Sequence, residues 1–355
     1  MSLKLAYMQG DGIGPEIMTA TLNVLNALDR MYDLGLVLHE HEIGLKAIGH
    51  QGASISREIL DACREVDGII MGPVDTYAYP SVDEGGVNPS AYMRKSLDLF
   101  ANIRPSRVYP NVPSTAKEMN LVIVRENTEG FYADRNMYFG LGEFMPTEHL
   151  ALSVRKISRE GSIRIAENAF ELAMIRRRKV TVVHKANVLK VSDGLFLNCV
   201  REVAEQYPDV ILEEELVDAM AAHLIRTPER FDVIVTTNMY GDILSDEAAE
   251  LSGGLGLGGS VNAGEKYIVA QAAHGAAPDI AGQNIANPSA LMSSVALLLM
   301  WIDKRDNKPV LKEAGIALES ALARALSDPL IRTQDLGGSG TTDKFCEAVS
   351  NILTR

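Results

Sequence analysis

The sequence holds few cysteines, few aromatic residues and no long apolar run. Its three cysteines, Cys63, Cys199 and Cys346, are far apart and form no CxxC pair. This argues against a disulfide framework and indicates a reducing, cytoplasmic compartment. The longest apolar stretch, 290–302, is interrupted by two serines and is too short to span a bilayer, so we predict a buried helix there. The apolar run at the amino terminus is also too short for a signal peptide.

Positive charge is scarce as well. The chain has 34 Lys and Arg residues against 47 Asp and Glu residues, a formal net charge of -13. No global positive field therefore exists to hold a nucleic acid or an anionic membrane surface. An anionic small molecule is not excluded, because a local arginine cluster acts at short range. With 355 residues, 46% of them hydrophobic, the chain is long enough for two domains or for one large α/β domain with an insert.

Short apolar strands alternate with amphipathic helices, and this alternation predicts an α/β layer fold. The predicted strands cover 3–8, 36–42, 68–71, 121–124, 179–184 and 231–236. The predicted helices cover about 15–31, 56–65, 162–178, 192–206 and 311–326. Polar candidate residues follow several of these strands, where ligands collect in such folds. A glycine-rich stretch, 253–264, is typical of a crossing between domains.

The segment GDGIGPE, at 10–16, lies between the first strand and the first helix. Its glycines allow a tight turn and a close backbone approach, and Pro15 suits the first position of a helix. The spacing only superficially resembles a dinucleotide fingerprint. On these residues alone, a structural turn is the favoured interpretation.

Three arginines, Arg94, Arg104 and Arg125, lie near predicted strands and helices. A guanidinium group binds a carboxylate through two parallel hydrogen bonds, so three of them suit a di- or tricarboxylate. Any one arginine is more often a surface ion-pair partner. Tyr132 and Lys185 follow two of the strands, where proton-transfer groups are commonly displayed. Taken alone, such a tyrosine is more often a packed aromatic and such a lysine a solvated one.

Asp242 and Asp246 are four residues apart, so on a helix they share a face. Two carboxylates there repel unless a cation lies between them, and oxygen ligands favour Mg²⁺ or Mn²⁺ over zinc. Asp218 is a candidate third ligand from elsewhere in the chain. A helix cap plus a solvated aspartate explains the spacing equally well.

The small-residue loop HGAAPDIAG, at 274–282, allows a flat ligand to approach the backbone. Asp279 is placed to accept hydrogen bonds from ribose hydroxyls and would repel a 2′-phosphate, which favours NAD over NADP. An ordinary Pro/Gly turn is the alternative interpretation.

Taken together and in order, these segments resemble the β-decarboxylating dehydrogenase family, which includes isocitrate, homoisocitrate and 3-isopropylmalate dehydrogenases. The motifs that carry the resemblance are GDGIGPE, LFANIRP (99–105), VRENTEG (124–130), HKAN (184–187), GDILSD (241–246) and HGAAPDIAG. The resemblance implies an α/β, two-domain isocitrate/isopropylmalate dehydrogenase-like fold that is not a Rossmann fold. It implies a discontinuous large NAD-binding domain, 1–100 plus 255–355, and a small domain, 101–254, with the dimer interface and the metal ligands.

The resemblance also implies a role for each matching residue. Tyr132 and Lys185 would be catalytic, and Asp218, Asp242 and Asp246 would bind Mg²⁺ or Mn²⁺. The implied substrate-binding residues are Asn88, Ser90, Arg94, Arg104 and Arg125. The implied NAD-binding residues are Ile13, Asn187, His274, Gly275, Ala276, Ala277, Pro278, Asp279, Ile280 and Asn287. The family further implies a homodimer in which Lys185 and Asp218 of one chain complete the site of the other.

The implied reaction is the NAD-dependent oxidation and decarboxylation of a 3-substituted D-malate, a hydroxy di- or tricarboxylate. Asn88 and Ser90 would make the pocket for the C3 substituent small and polar, which favours isocitrate or homoisocitrate. Two departures from relatives concern the same question: Gln271 stands where an acidic residue is common, and Val87 replaces an acidic residue of isopropylmalate enzymes. The alternatives are 3-isopropylmalate dehydrogenase and D-malate/tartrate dehydrogenase. From other classes, they are a non-catalytic regulatory subunit of a hetero-oligomeric dehydrogenase and a plain nucleotide-binding module.

Overall fold

The computed structural model describes residues 2–132, 137, 140 and 142–354. The chain forms two compact units. Unit 1 comprises Met1–Ser96, Tyr109–Ser114 and Gly253–Arg355, and unit 2 comprises Leu97–Val108 and Thr115–Ser252. The assignment of NAD binding to 1–100 plus 255–355, and of a dimer interface to 101–254, stays a prediction.

Strands and helices alternate in both units, as the apolar pattern predicts. The strands are β1 (Leu3–Met8), β2 (Leu36–Glu40), β3 (Gly68–Met71), β4 (Ala101–Arg107), β5 (Asn120–Glu126), β6 (Glu143–Thr147), β7 (Leu150–Ser153), β8 (Lys179–His184), β9 (Ile211–Leu216), β10 (Val233–Thr236), β11 (Val261–Ala263) and β12 (Ile268–Ala270). The helices are α1 (Gly14–Tyr32), α2 (Leu45–Gln51), α3 (Arg57–Cys63), α4 (Pro89–Ser96), α5 (Arg159–Met174), α6 (Ser192–Ala204), α7 (Val217–Arg226), α8 (Asn238–Ser252), α9 (Ser289–Asp306), α10 (Pro309–Leu326) and α11 (Thr342–Leu353).

In unit 1 the strands lie in the order β2, β1, β3, β12, β11. The first four run parallel, and β11 is antiparallel to β12. The predicted buried helix at 290–302 lies within α9, and its two serines explain how polar residues are tolerated there. Ser294 donates to the carbonyl of Ala290 at 2.8 Å, and Ser293 donates to Glu319 at 2.6 Å. Across the described residues, no helix has the length and apolar character that crossing a membrane requires.

In unit 2 the strands lie in the order β4, β5, β10, β8, β9, with β4 antiparallel to β5 and the others parallel. Successive side chains of β5 enter two different apolar clusters. Val122 and Val124 pack with residues of α5 and α6, and Leu121 and Ile123 pack with residues of α7 and α8. A strand buried on both faces reads as a continuous apolar run, which is why the sequence reveals β5 so clearly.

Several boundaries and elements differ from the prediction, three of them for identifiable reasons. Strand β4 was not predicted because it contains Pro105, a residue that is rare inside strands. In the structure Pro105 lies opposite Val122 of the neighbouring strand β5. The helix predicted at 162–178 ends at Met174, because Arg176 and the backbone of Arg177 bind the buried Asp232. The hairpin β6–β7 also escaped detection, since its side chains are exposed and carry no buried alternation.

Candidate active site

Two arginines and two aspartates meet in unit 2. Arg104 comes from β4, Arg125 from β5, and Asp242 and Asp246 from α8. Arg104 binds Asp246 at 3.0 Å and lies 3.4 Å from Asp242. Arg125, almost fully buried, donates to Asp242. The aspartates do lie on a helix, and the cluster contains two positive and two negative groups.

Neutral side chains fix the orientation of both arginines. Arg104 donates to Asn102 at 2.7 Å and to Ser245 at 2.8 Å. Arg125 donates to the amide oxygen of Asn238 through two nitrogens, at 3.0 and 2.6 Å. Sequence reasoning missed these three partners, since a single Asn or Ser carries no pattern of its own.

A glycine makes room for Arg125. A Cβ atom at Gly241 would lie 2.6 Å from Cγ of Arg125 and 2.7 Å from its Cβ. Contacts below 3.0 Å require one group to move. The glycine of the GDILSD motif thus allows α8 to pack directly against the arginine that binds its own Asp242.

Tyr132 joins the same cluster. Its hydroxyl donates to Asp242 Oδ2 at 2.5 Å, and its ring lies 5.6 Å from the guanidinium carbon of Arg125. A charged group next to the ring and a short bond to a carboxylate restrict the side chain. The structure therefore places a proton donor beside the arginines and aspartates.

Burial and a neighbouring carboxylate both act on Asp246. Burial raises the pKa of Asp246 above its ordinary value, the Arg104 charge opposes this, and the neighbouring Asp242 adds to it. Two carboxylates on one helix face thus carry an unfavourable mutual interaction that a cation between them would relieve.

Lys185 and Asp218 form a second, separate pair in unit 2. Lys185 follows β8, and its ammonium group donates to Asp218 in the first turn of α7. The hydrogen bond from Lys185 is the main cause that lowers the pKa of Asp218. The structure does not bring Asp218 together with Asp242 and Asp246 within one chain: among the residues that it describes, no group of three His, Cys, Asp or Glu side chains is placed to hold a metal.

The backbone of Lys185 is held by a buried ion pair. Its N–H donates to Asp193 at 2.6 Å, and the fully buried Asp193 also accepts from Arg155. Arg155 lies 5.5 Å from the ring of Phe131 and 5.2 Å from that of Tyr240. Sequence reasoning missed Arg155 and Asp193. Asn187, predicted to bind the cofactor, is exposed in the turn after Lys185.

In unit 1, the predicted substrate residues Asn88 and Ser90 lie at the start of α4, and Arg94 lies in its last turn. The side-chain oxygen of Asn88 accepts from the backbone of Ala91 at 3.2 Å, as a helix N-cap does. Ser90 donates to Gln271 at 2.9 Å. Arg94 is half-buried on the same helix.

The GDGIGPE turn packs against the predicted cofactor loop. The N–H of Ile13 donates to the carbonyl of Ala276 at 2.8 Å. A Cβ atom at Gly12 (φ +56°) would lie 2.0 Å from the same carbonyl oxygen, so the approach requires glycine. Asp11 accepts from Leu45, Asp75 and the Tyr79 hydroxyl, which makes it a structural residue. The turn interpretation therefore holds for Asp11.

The far end of the loop is also anchored. Glu16, the last residue of GDGIGPE, accepts from the backbone of Gly282 at 3.0 Å, from Ala286 at 3.1 Å and from the Thr342 hydroxyl at 2.7 Å. Asn287 donates to Asp335 at 2.9 Å. Neither Glu16 nor Asp335 was predicted as a site residue.

Between these anchors, one polar atom of the loop lacks a partner. Nδ1 of His274 pairs with the carbonyl of Gly275 at 3.0 Å, whereas its Nε2 is buried without a hydrogen bond among the described residues. Burial lowers the pKa of His274, and the Gly275 carbonyl and the Asp335 charge oppose this. Asp279 is exposed. An unsatisfied buried ring nitrogen fits a site that receives a polar ligand.

Comparisons with known proteins identify the chain. Residues 4–349 match the model of the isocitrate/isopropylmalate dehydrogenase family. The chain belongs to this family. It is 41% identical to a 3-isopropylmalate dehydrogenase of Saccharolobus solfataricus, over 99% of this chain and 100% of the relative. It is 40% identical to an isocitrate/homoisocitrate dehydrogenase of Thermus thermophilus, over 99% of both chains.

The fold agrees with the sequence relationship. The crystal structure of an isocitrate dehydrogenase from Methylococcus capsulatus superposes with a TM-score of 0.88 at 35% identity and covers 99% of this chain and all of the other. The predicted fold class is thus confirmed. As an isocitrate/isopropylmalate dehydrogenase family member, the chain is a β-decarboxylating dehydrogenase, and the family acts on hydroxy acids with NAD(P) and a divalent metal.

The residues present fit such a metal ion. Asp242 and Asp246 offer hard oxygen ligands from one helix face, which suits Mg²⁺ or Mn²⁺. Burial and charge repulsion at Asp246 favour a cation there. Two carboxylates are fewer oxygen ligands than either ion takes, so further ligands must come from substrate, water or another chain.

Proposed function

We propose that this chain is an NAD-dependent dehydrogenase that uses Mg²⁺ or Mn²⁺ and decarboxylates a 3-substituted D-malate, with an isocitrate- or homoisocitrate-like substrate favoured. The observation that carries the proposal is the unit 2 cluster of Arg104, Arg125, Tyr132, Asp242 and Asp246. Two guanidinium groups and two carboxylates balance in charge. A divalent cation offsets most of the charge of a substrate that brings two or three carboxylates, so both together are accommodated where either alone is disfavoured.

The residues supply the steps that the reaction requires. NAD held by the loop 274–280 would accept the hydride from C2 of the substrate, and a metal ion held by Asp242 and Asp246 would stabilise the negative charge that develops on the substrate. Lys185 is the base that takes the proton of the C2 hydroxyl. Arg94, Arg104 and Arg125 hold the carboxylates in the orientation from which CO₂ leaves. Tyr132 then gives its proton to C3.

Two features support a homodimer with shared sites. Lys185 and Asp218 pair with each other and lie apart from Asp242 and Asp246. Within one chain, the proposed base and third metal ligand are therefore separate from the other two metal ligands. Large apolar side chains are exposed on the hairpin β6–β7, where Met145 is 63% exposed, and on α8, where Ile243 is 60% exposed beside Asp242. Exposed apolar residues on these elements suit an interface with a second chain.

The loop chemistry supports NAD. Asp279 is exposed and carries a carboxylate that would pair with ribose hydroxyls and repel a 2′-phosphate. The unsatisfied Nε2 of His274 lies in the same loop. We assign Ile13, Asn187, the loop 274–280 and Asn287 to cofactor binding by the same proposal.

The pocket for the C3 substituent is assigned to Asn88 and Ser90, whose polar groups favour a carboxylated substituent over isopropyl. Relatives at about the same identity are named as 3-isopropylmalate and as isocitrate/homoisocitrate dehydrogenases, so 3-isopropylmalate and D-malate or tartrate stay as alternatives. A non-catalytic regulatory subunit is disfavoured because the tyrosine, the lysine and the arginines are all present.

The direct test is NADH formation by the purified protein with Mg²⁺ or Mn²⁺. Isocitrate, homoisocitrate, 3-isopropylmalate, D-malate and tartrate are compared, with NADP as the cofactor control. Activity concentrated on isocitrate or homoisocitrate with NAD supports the proposal. Preference for 3-isopropylmalate would refute the substrate assignment alone. NAD binding without turnover of any malate would point to the regulatory subunit.

A further inference from the structure

A buried carboxamide contacts the hydroxyl of Ser90. Gln271 follows strand β12 and is 8% exposed. Its side-chain oxygen lies 2.9 Å from Ser90 Oγ, and its side-chain nitrogen lies 3.4 Å from the carbonyl oxygen of Gly72. All three residues belong to unit 1. Gln271 therefore touches a residue assigned to the substituent pocket without being part of the α4 segment.

The two ends of this carboxamide are not interchangeable. The carbonyl of Gly72 only accepts hydrogen bonds, so the amide nitrogen of Gln271 must face it. The amide oxygen then faces Ser90 and also only accepts. Ser90 must donate, and its single hydrogen is directed at Gln271. What Ser90 offers to any ligand is its lone pairs.

Asn88 has the opposite hydrogen-bonding role to Ser90. Its side-chain oxygen accepts from the backbone N–H of Ala91, which leaves the amide nitrogen, a donor, as its outward group. The pocket thus presents a donor at Asn88 and an acceptor at Ser90.

We propose that Gln271 is a specificity-determining residue that broadens substrate choice by holding the hydrogen of Ser90. The inference rests on the proposed function, which places Ser90 beside the C3 substituent. A carboxylated substituent meets a donor at Asn88 but only lone pairs at Ser90. It therefore gains one hydrogen bond from the two polar residues and not two. An alkyl substituent leaves no unsatisfied hydrogen at Ser90, because Gln271 already accepts it. The loss of binding free energy is therefore smaller than beside a serine whose hydrogen has no acceptor. Substrates of both kinds are therefore accepted, and the preference for the carboxylated kind is smaller than Asn88 and Ser90 alone would give.

The experiment measures kcat/KM for isocitrate and for 3-isopropylmalate, and compares the ratio between variants. Gln271→Met keeps the size of the side chain and removes its acceptor, so Ser90 is free to donate to a carboxylate. We expect the isocitrate to isopropylmalate ratio to rise about 2- to 10-fold, the worth of one net hydrogen bond. Gln271→Leu is the second apolar variant, and thermal unfolding checks that each protein is folded.

Two controls test whether the effect passes through Ser90. In a Ser90→Ala background, Gln271→Met should leave the ratio unchanged, as a double-mutant cycle requires. Gln271→Glu keeps an acceptor towards Ser90, so the ratio should not rise. A ratio that stays the same in the folded Met and Leu variants, or that rises equally without Ser90, would overturn the proposal for Gln271 alone. A wild-type protein inactive on every malate would overturn the proposed function and this inference together.

Discussion

Tyr132 and Asp242 are joined by a 2.5 Å hydrogen bond from the phenol to the carboxylate, although 110 residues separate them in sequence. The tyrosine follows β5 and the aspartate lies on α8, so the bond connects a candidate proton donor with a candidate metal ligand. This contact links the two halves of the proposed chemistry within unit 2: the charge at C2 and the proton delivered to C3.

Replacing Tyr132 with Phe removes the proton that C3 receives. We expect kcat to fall by about 10²- to 10⁴-fold, the usual contribution of a general acid. The first NADH should still form, because oxidation precedes protonation. Rapid-mixing absorbance measurements would then show a burst of NADH followed by slow turnover. Tyr7→Phe, in β1 of unit 1, is the matched control and should turn over normally. A normal rate in the Tyr132 variant would remove this residue from the mechanism.

Lys185→Met should abolish oxidation while decarboxylation of the matching 2-keto acid persists, since that step needs no base at the hydroxyl. If sites are shared between chains, mixing the Lys185→Met and Tyr132→Phe proteins after mild denaturation should restore activity. Random pairing makes half of the dimers mixed, and each mixed dimer holds one intact site, so about a quarter of wild-type activity should return. Lys190→Met, on the exposed side of the same loop, is the control. No recovery on mixing would contradict the shared site.

Gly241→Ala tests the packing of α8 against Arg125. The added methyl would meet the Arg125 side chain at 2.6 Å, so either the arginine or α8 must move, and the contact of Arg125 with Asp242 is disturbed. We expect KM for the hydroxy acid to rise at least about tenfold, because bidentate carboxylate binding depends on orientation. Gly49→Ala in α2, where the new Cβ meets nothing within 4 Å, is the matched glycine-to-alanine control. Equal KM values in both variants would show that Arg125 does not bind substrate.

His274 predicts a pH dependence of stability. Burial lowers its pKa below the ordinary value of 6.5, so the folded protein keeps the ring neutral where the unfolded chain takes up a proton. The stabilisation is therefore complete above the unfolded pKa and is lost as the pH falls below about 6.5. In urea unfolding measured between pH 5 and 7, the free energy of unfolding should change less steeply with pH in His274→Gln than in the wild type. His149→Gln, on the exposed hairpin, is the comparison. The same pH dependence of the free energy of unfolding in wild type and His274→Gln would refute the claim that burial keeps this ring neutral.

The sequence revealed the elements whose apolar pattern is strong and hid those that depend on tertiary contacts. Strands β1, β3 and β8 have the predicted bounds because most of their side chains are apolar and buried. Strand β4 was not recognised, since its sequence contains two arginines and Pro105, and its pairing with β5 shows only in the structure.

The residues of the candidate site also fall into those that the sequence shows and those that only the structure shows. Arg104, Arg125, Tyr132, Asp242 and Asp246 all stand in motifs that the sequence displays, and the structure brings them together. The residues that orient them, Asn102, Asn238 and Ser245, become visible only through distances. Gln271 was noticed only as a departure from relatives. Its contact with Ser90 spans 181 positions, which no local pattern predicts.

The central claim is that oxidation and decarboxylation occur together at a metal-dependent site. The most direct test measures NADH and CO₂ released by the purified protein from its best malate substrate, with Mg²⁺ and after chelation by EDTA. The account predicts one CO₂ for each NADH, loss of both with EDTA, and recovery of both when Mg²⁺ or Mn²⁺ is restored. NADH formed without CO₂, or turnover that EDTA leaves unchanged, would contradict it.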